Sequence, residues 1–135
     1  MNYELRWKQR FQSFRKAFDV LKRTLQRVSE APQDDILQMA LVQAFEFNYE
    51  LSWNLLKDYF ASEGYSDAKS PKQVIRTAFQ AGLITNPEPW LQVVEKRNLA
   101  SHSYNANVLA ETVAFIQTEF FPLVEQLNHD FNSRL

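Results

Sequence analysis

Near the start of the chain Trp7, Phe11, Phe14, Phe18, Leu21, Leu25 and Val28 recur at alternating steps of four and three, the spacing of a helix packed along its full length. This stripe predicts a first helix from about Tyr3 to Ser29, closed by the break at Ala31-Pro32. Asp34 and Asp35 favour a new helix start through the macrodipole, and the apolar run from Ile36 to Phe60 predicts a second long helix that Gly64 ends as a C′ residue. Ser70, Pro71 and Gln73 combine a capping hydroxyl, a proline at the first helical position and a glutamine three residues after the cap, so a short third helix runs from there towards Gly82. A fourth begins near Pro87 or Pro89 and carries Trp90, Val93 and Val94 towards a polar run that ends at Tyr104. A turn at Asn105-Ala106-Asn107 admits a fifth helix through Val108, Thr112, Phe115 and Ile116, which Pro122 is expected to kink or restart. No alternating strand pattern survives, so the expected class is all-α, an up-and-down bundle of four main helices with the third helix as a short connector.

The 135 residues, 45% apolar and 14% aromatic, match one core, and one domain spanning 1–135 is expected. Without cysteine there is no disulfide framework, thiol nucleophile or thiolate metal site. No stretch is apolar enough to span a membrane, and the N-terminus lacks the apolar core of a signal peptide, so a cytoplasmic protein is the simplest expectation. The net charge of -1 conceals an asymmetry, because residues 1–27 hold eight basic side chains against Glu4 and Asp19. None of the eight falls on the apolar stripe. A phosphate footprint, a docking face for an acidic partner and a solvated helix surface all fit that pattern.

The sequence has no glycine-rich phosphate loop, no His-Glu-x-x-His site and no Gly-x-Ser-x-Gly elbow. Its two histidines are too few for a multi-histidine metal centre within one chain, and no metal or other cofactor is expected. His129, in Asn128-His129-Asp130, reads as a surface residue, and Asp34 with Asp35 as first-turn acids rather than a catalytic dyad. His102 has different company. Arg97 and Asn98 precede it, Ser101 and Ser103 flank it, and Tyr104 follows. Arginine supplies a permanently charged planar donor for phosphate, and histidine exchanges a proton near neutral pH. On a straight helix five residues separate Arg97 and His102 by roughly 140° around the axis and about 7.5 Å along it. If the two act together the helix must end or distort between them; otherwise the cluster merely caps a helix end.

The run Arg97-x4-His102-x-Tyr104 resembles the Arg-x4-His-x-Tyr signature of HepT-like HEPN proteins, including the polar residue directly after the arginine. Residues 45–59, from Phe45 to Tyr59, are similar to the second-helix pattern of the branch once named nucleotidyltransferase substrate-binding proteins, with Asn54 where members often carry lysine. The resemblance implies a homodimer whose two motifs face a shared cleft, acting as a metal-independent RNase toxin on an RNA substrate. It implies a minimal nucleotidyltransferase as antitoxin, catalytic positions at Arg97 and His102, an auxiliary polar one at Asn98, and adenylylation at Tyr104. Under the older naming the chain is a non-catalytic substrate-binding subunit of that nucleotidyltransferase. Glu46 and Glu50, one turn apart in the second helix, either contact this site or pair with Arg or Lys. Tyr104 either serves as the regulatory switch or closes the end of the fourth helix.

Overall fold

The computed structural model describes residues 2–65, 67–102 and 105–135, the side chains of 99–102 excepted. Its helices are α1 (Tyr3–Glu30), α2 (Asp35–Ser62), α3 (Pro71–Gln80), α4 (Glu88–His102), α5 (Ala106–Phe115) and α6 (Phe121–Asn132), with a π-helical stretch, Ile116–Phe120, joining the last two. Helices α1 and α2 pair across the short 31–34 connection. With α4 and the continuous α5–α6 rod they make the four main members of an all-helical bundle, and α3 is the short connector. Among the described residues no helix is long and apolar enough to cross a membrane.

The helix ends follow from local chemistry. Asp34 caps α2, its carboxylate accepting from the Ile36 and Leu37 N–H groups. Ser70 caps α3 through the Gln73 N–H, while the Gln73 side chain accepts from the Lys69 N–H at 3.0 Å. Beyond α2, Gly64 takes φ +93°. That lets the Tyr65 N–H reach the Phe60 carbonyl at 2.7 Å and the Gly64 N–H reach Ala61 at 3.2 Å, two otherwise orphaned carbonyls satisfied at once. The Tyr65 and Phe60 rings meet edge to face over this turn. Gly82 repeats the arrangement after α3, with Leu83 bonded to Ala78 and Gly82 to Phe79.

At Pro122 the last helix is restarted, α6 beginning at Phe121 with the proline in its first turn. The chain widens ahead of it, and the Phe121 N–H reaches back five residues to Ile116 rather than four. In that first turn a missing N–H is tolerated. The rod therefore continues with its apolar face inward: Phe120 meets Phe45 of α2 edge to face at 4.7 Å, and Phe121 stacks on Phe18 of α1 at 5.6 Å.

Of the predicted α1 stripe, Trp7, Phe11, Phe14, Phe18, Leu21 and Val28 are buried and Leu25 packs partly buried against them. Helix α2 packs against each of the other α-helices, so its buried positions include polar ones. Asn48 donates to the Ala17 carbonyl of α1 at 2.9 Å and to Ala44 at 2.8 Å, tying the two long helices across their backbones. Asp58, with only 4% of its side chain exposed, meets Arg10 at 2.9 Å and Arg6 at 3.5 Å. Two of the N-terminal cations thus neutralise a core-facing carboxylate, and a third, Lys8, pairs with Glu4 at 2.9 Å.

The Asp58 cluster is asymmetric, because both guanidinium groups reach solvent and the carboxylate does not. Replacing Arg6 and Arg10 together by Ala strands a buried charge and should cost ~3 kcal/mol or more. Asp58→Ala, which leaves two cations that can hydrate, should cost about 1–2 kcal/mol. Urea denaturation of the two variants checks the order; a larger loss for Asp58→Ala would contradict it.

Candidate functional site

On α2, Tyr49, Glu50 and Trp53 lie within one turn of each other and face α4. Helix α4 brings Arg97 to them: its Nη2 stands 3.6 Å from Glu50 Oε1, and its guanidinium carbon lies 5.8 Å from the centre of the Tyr49 ring. The other carboxylate oxygen of Glu50 accepts from the Trp53 indole N–H at 3.2 Å. Glu50 therefore spans a cation on one helix and an aromatic donor on its own, restricting both. Asn54 turns back to the Glu50 carbonyl at 2.8 Å, and Lys57 stands 5.9 Å from the Trp53 ring centre.

Tyr49, Glu50 and Trp53 line one side of an open cleft of about 340 Å³. Val94, Arg97 and Asn98 of α4 form its second wall, and Ser70, Pro71 and Lys72 at the start of α3 form the third. Among the described lining residues, Lys72 and Arg97 supply two cations against the carboxylate of Glu50. Tyr49 is nearly inaccessible to solvent. Its phenol is pushed up to about 12, first by burial and next by the Glu50 carboxylate, with the Arg97 guanidinium pulling the other way. Near neutral pH it is a hydrogen-bond donor and not a base.

Of the residues the sequence singles out, Arg97 and Asn98 line this cleft together, Arg97 partly buried and Asn98 exposed. The α4 backbone stays helical through His102, so the break that the Arg97/His102 spacing called for does not fall between them. The two positions keep the offset of a regular helix. The turn comes later, where extended Asn105 caps α5 through the Asn107 and Val108 N–H groups. The side chains of Ser101 and His102, and all of Ser103 and Tyr104, lie outside the described residues.

Of the two alternatives for Glu50, pairing with an arginine is the one that forms, and its partner is the candidate residue Arg97. Glu46 is half-buried and does not line the cleft. His129 is exposed in the last turn of α6. Sequence reasoning missed Trp53 and Lys72. A polar triplet embedded in an apolar helix, Tyr49-Glu50 followed by Trp53, was the available signal for the first. Nothing in the sequence marks Lys72, which only the α3 connector brings to α2 and α4.

A family model described as nucleotidyltransferase substrate binding protein like matches residues 9–133. Among curated proteins, the chain is 31% identical over 127 residues to a probable ribonuclease HepT of Haemophilus influenzae, covering 82% of this chain and 86% of that protein.

The Tyr49 environment makes a prediction at alkaline pH. In the unfolded chain a tyrosine ionises near ~10, whereas the folded chain holds this proton to about 12. Over that interval the unfolded state binds fewer protons, so the contribution to stability is complete below the unfolded value and is lost as pH rises through the folded one. Tyr49→Phe should lose less stability than wild type across that interval when unfolding is followed at matched pH values. Parallel losses in the two proteins would show that the phenol is not held protonated.

Proposed function

This chain belongs to the HepT-like family of nucleotidyltransferase substrate-binding proteins, and from that premise we propose that it is a metal-independent endoribonuclease toxin. The observation that carries the reading is Arg97, a guanidinium ion-paired to Glu50 at the edge of an open cleft with Asn98 beside it. Cleavage then uses the RNA's own 2′-hydroxyl. His102 takes its proton, the oxygen attacks the adjacent phosphorus, and the 5′-oxygen leaves with a proton from a second acid. Arg97 offsets the charge that grows on the phosphoryl oxygens, and its five N–H donors suffice to keep Glu50 while also donating to phosphate. Asn98 supplies an auxiliary polar contact.

Within one chain Arg97 and His102 keep the offset of a regular helix, so a homodimer whose two motifs share one cleft is what brings an arginine and a histidine to the same phosphate and provides the second proton-transfer group. Ile36 and Phe47, 74% and 58% exposed on nearly the same face of α2, are an apolar surface suited to a second copy, and Phe47 lies one turn from Glu50. Control falls to a minimal nucleotidyltransferase acting as antitoxin. It transfers AMP from ATP to the Tyr104 hydroxyl, releasing pyrophosphate, and the added bulk and negative charge repel the RNA backbone. The description of the matching family favours a second reading, a non-catalytic substrate-binding subunit of the nucleotidyltransferase.

His102→Ala should lower RNA cleavage by ~10²- to 10⁴-fold and abolish toxicity, with helicity and thermal stability near wild type. Cleavage and toxicity unchanged in that variant would reject the catalytic assignment, and no cleavage by either protein would favour the binding-subunit reading. Incubation with ATP, magnesium and the cognate nucleotidyltransferase should add AMP mass to wild type and silence it, but leave Tyr104→Phe unlabelled and active. Equal labelling and neutralisation of Tyr104→Phe would remove Tyr104 from the switch.

A further inference from the structure

Trp53 differs from the other two tryptophans. Trp7 and Trp90 are buried in the core at 4% and 5% exposure, whereas Trp53 is only partly buried and lines the cleft. Its ring is oriented before any ligand arrives, because the indole N–H is engaged by Glu50, which in turn holds Arg97. Lys72, at the start of α3, lines the same cleft. One cleft thus joins an aromatic surface, two cations and the exposed Asn98 amide. Its 340 Å³ suits a small guest rather than a helix or a duplex.

We propose that this cleft is a nucleotide subsite, binding one unpaired nucleotide of the RNA beside the bond to be cut, its base against Trp53 and its phosphate between Lys72 and Arg97. The inference rests on the ribonuclease reading above and adds the groups that hold the strand. Aromatic stacking tolerates every base, because each presents a π face, so the subsite selects unpaired RNA rather than a particular sequence. Duplex RNA, whose bases are stacked on one another, cannot enter. Glu50 serves both halves of the site, fixing the stacking ring through one oxygen and the phosphate-binding guanidinium through the other.

The test is a titration of the full-length protein with a short 2′-O-methylated single-stranded oligoribonucleotide, which lacks the attacking hydroxyl and stays intact. Saturable quenching of tryptophan emission is expected, and it should vanish in Trp53→Leu, with binding of the labelled oligonucleotide weakened roughly 5- to 100-fold. Trp53→Phe should recover most of that affinity. Lys72→Glu, at an exposed position, should weaken binding and lower the slope of affinity against salt by about one contact. Unmodified RNA is cleaved in parallel. Quenching without any cleavage would keep the subsite and reject the ribonuclease reading. Cleavage by wild type with no quenching, and with an unchanged KM in Trp53→Leu, would overturn the subsite and keep that reading. Quenching by free AMP but not by the oligonucleotide, by duplex as well as by single strand, or only by the nucleotidyltransferase would also overturn it.

Discussion

Helix α2 is the element the rest of the bundle is built on, open to solvent along one face, which holds Ile36 and Phe47, and covered elsewhere. It packs against each of the other α-helices, and its buried set runs from Leu41 to Phe60 on more than one side. A helix so enclosed would be safest wholly apolar, because each buried polar group must find a partner inside the protein. This one carries Asn48, Ser52 and Asp58, and their contacts do structural work. Asn48 reaches the Ala17 carbonyl and sets α1 against α2, Ser52 bonds back to the Asn48 carbonyl, and Asp58 collects Arg10 and Arg6. At its edge the same helix presents Glu50 to Arg97. The position of the candidate catalytic cation is thereby tied to the most constrained element of the fold.

Much of this was legible in the chain. The α1 stripe named its buried residues, Asp34 and Ser70 named the starts of α2 and α3, and Gly64 with Gly82 named their ends. These features are local, involving a side chain and a backbone group within a turn of each other. Pro122 shows where local reasoning stops. Its ring forbids an ordinary α-helical turn, but whether the chain breaks or widens depends on what the flanking residues gain by continuing. Phe120 on Phe45 and Phe121 on Phe18 are gains made with other helices. The Glu50–Arg97 pair is legible only as two alternatives, since the residues lie far apart in sequence, and Lys72 is not legible at all.

The uneven charge of the chain resolves in a similar way. Arg6, Arg10 and Lys8 are engaged by Asp58 and Glu4, so the N-terminal positive charge is partly consumed inside the protein. Lys16, Lys22, Arg23 and Arg27 remain on the exposed side of α1. Among the described residues the cleft, by contrast, is lined by two cations, Lys72 and Arg97, balanced in part by Glu50. If the proposed subsite binds RNA, its recognition rests on geometry and stacking more than on net charge.

In the proposed reaction Arg97 acts through the shape of its guanidinium as well as through its charge. A planar fork can hold a carboxylate and a phosphate together, whereas an ammonium is a point charge on a flexible stem. The direct measurement is the single-turnover rate of RNA cleavage by Arg97→Lys, compared with wild type and Arg97→Ala. The account predicts that lysine preserves folding but leaves the rate near that of the alanine variant. A rate for Arg97→Lys close to wild type would contradict it.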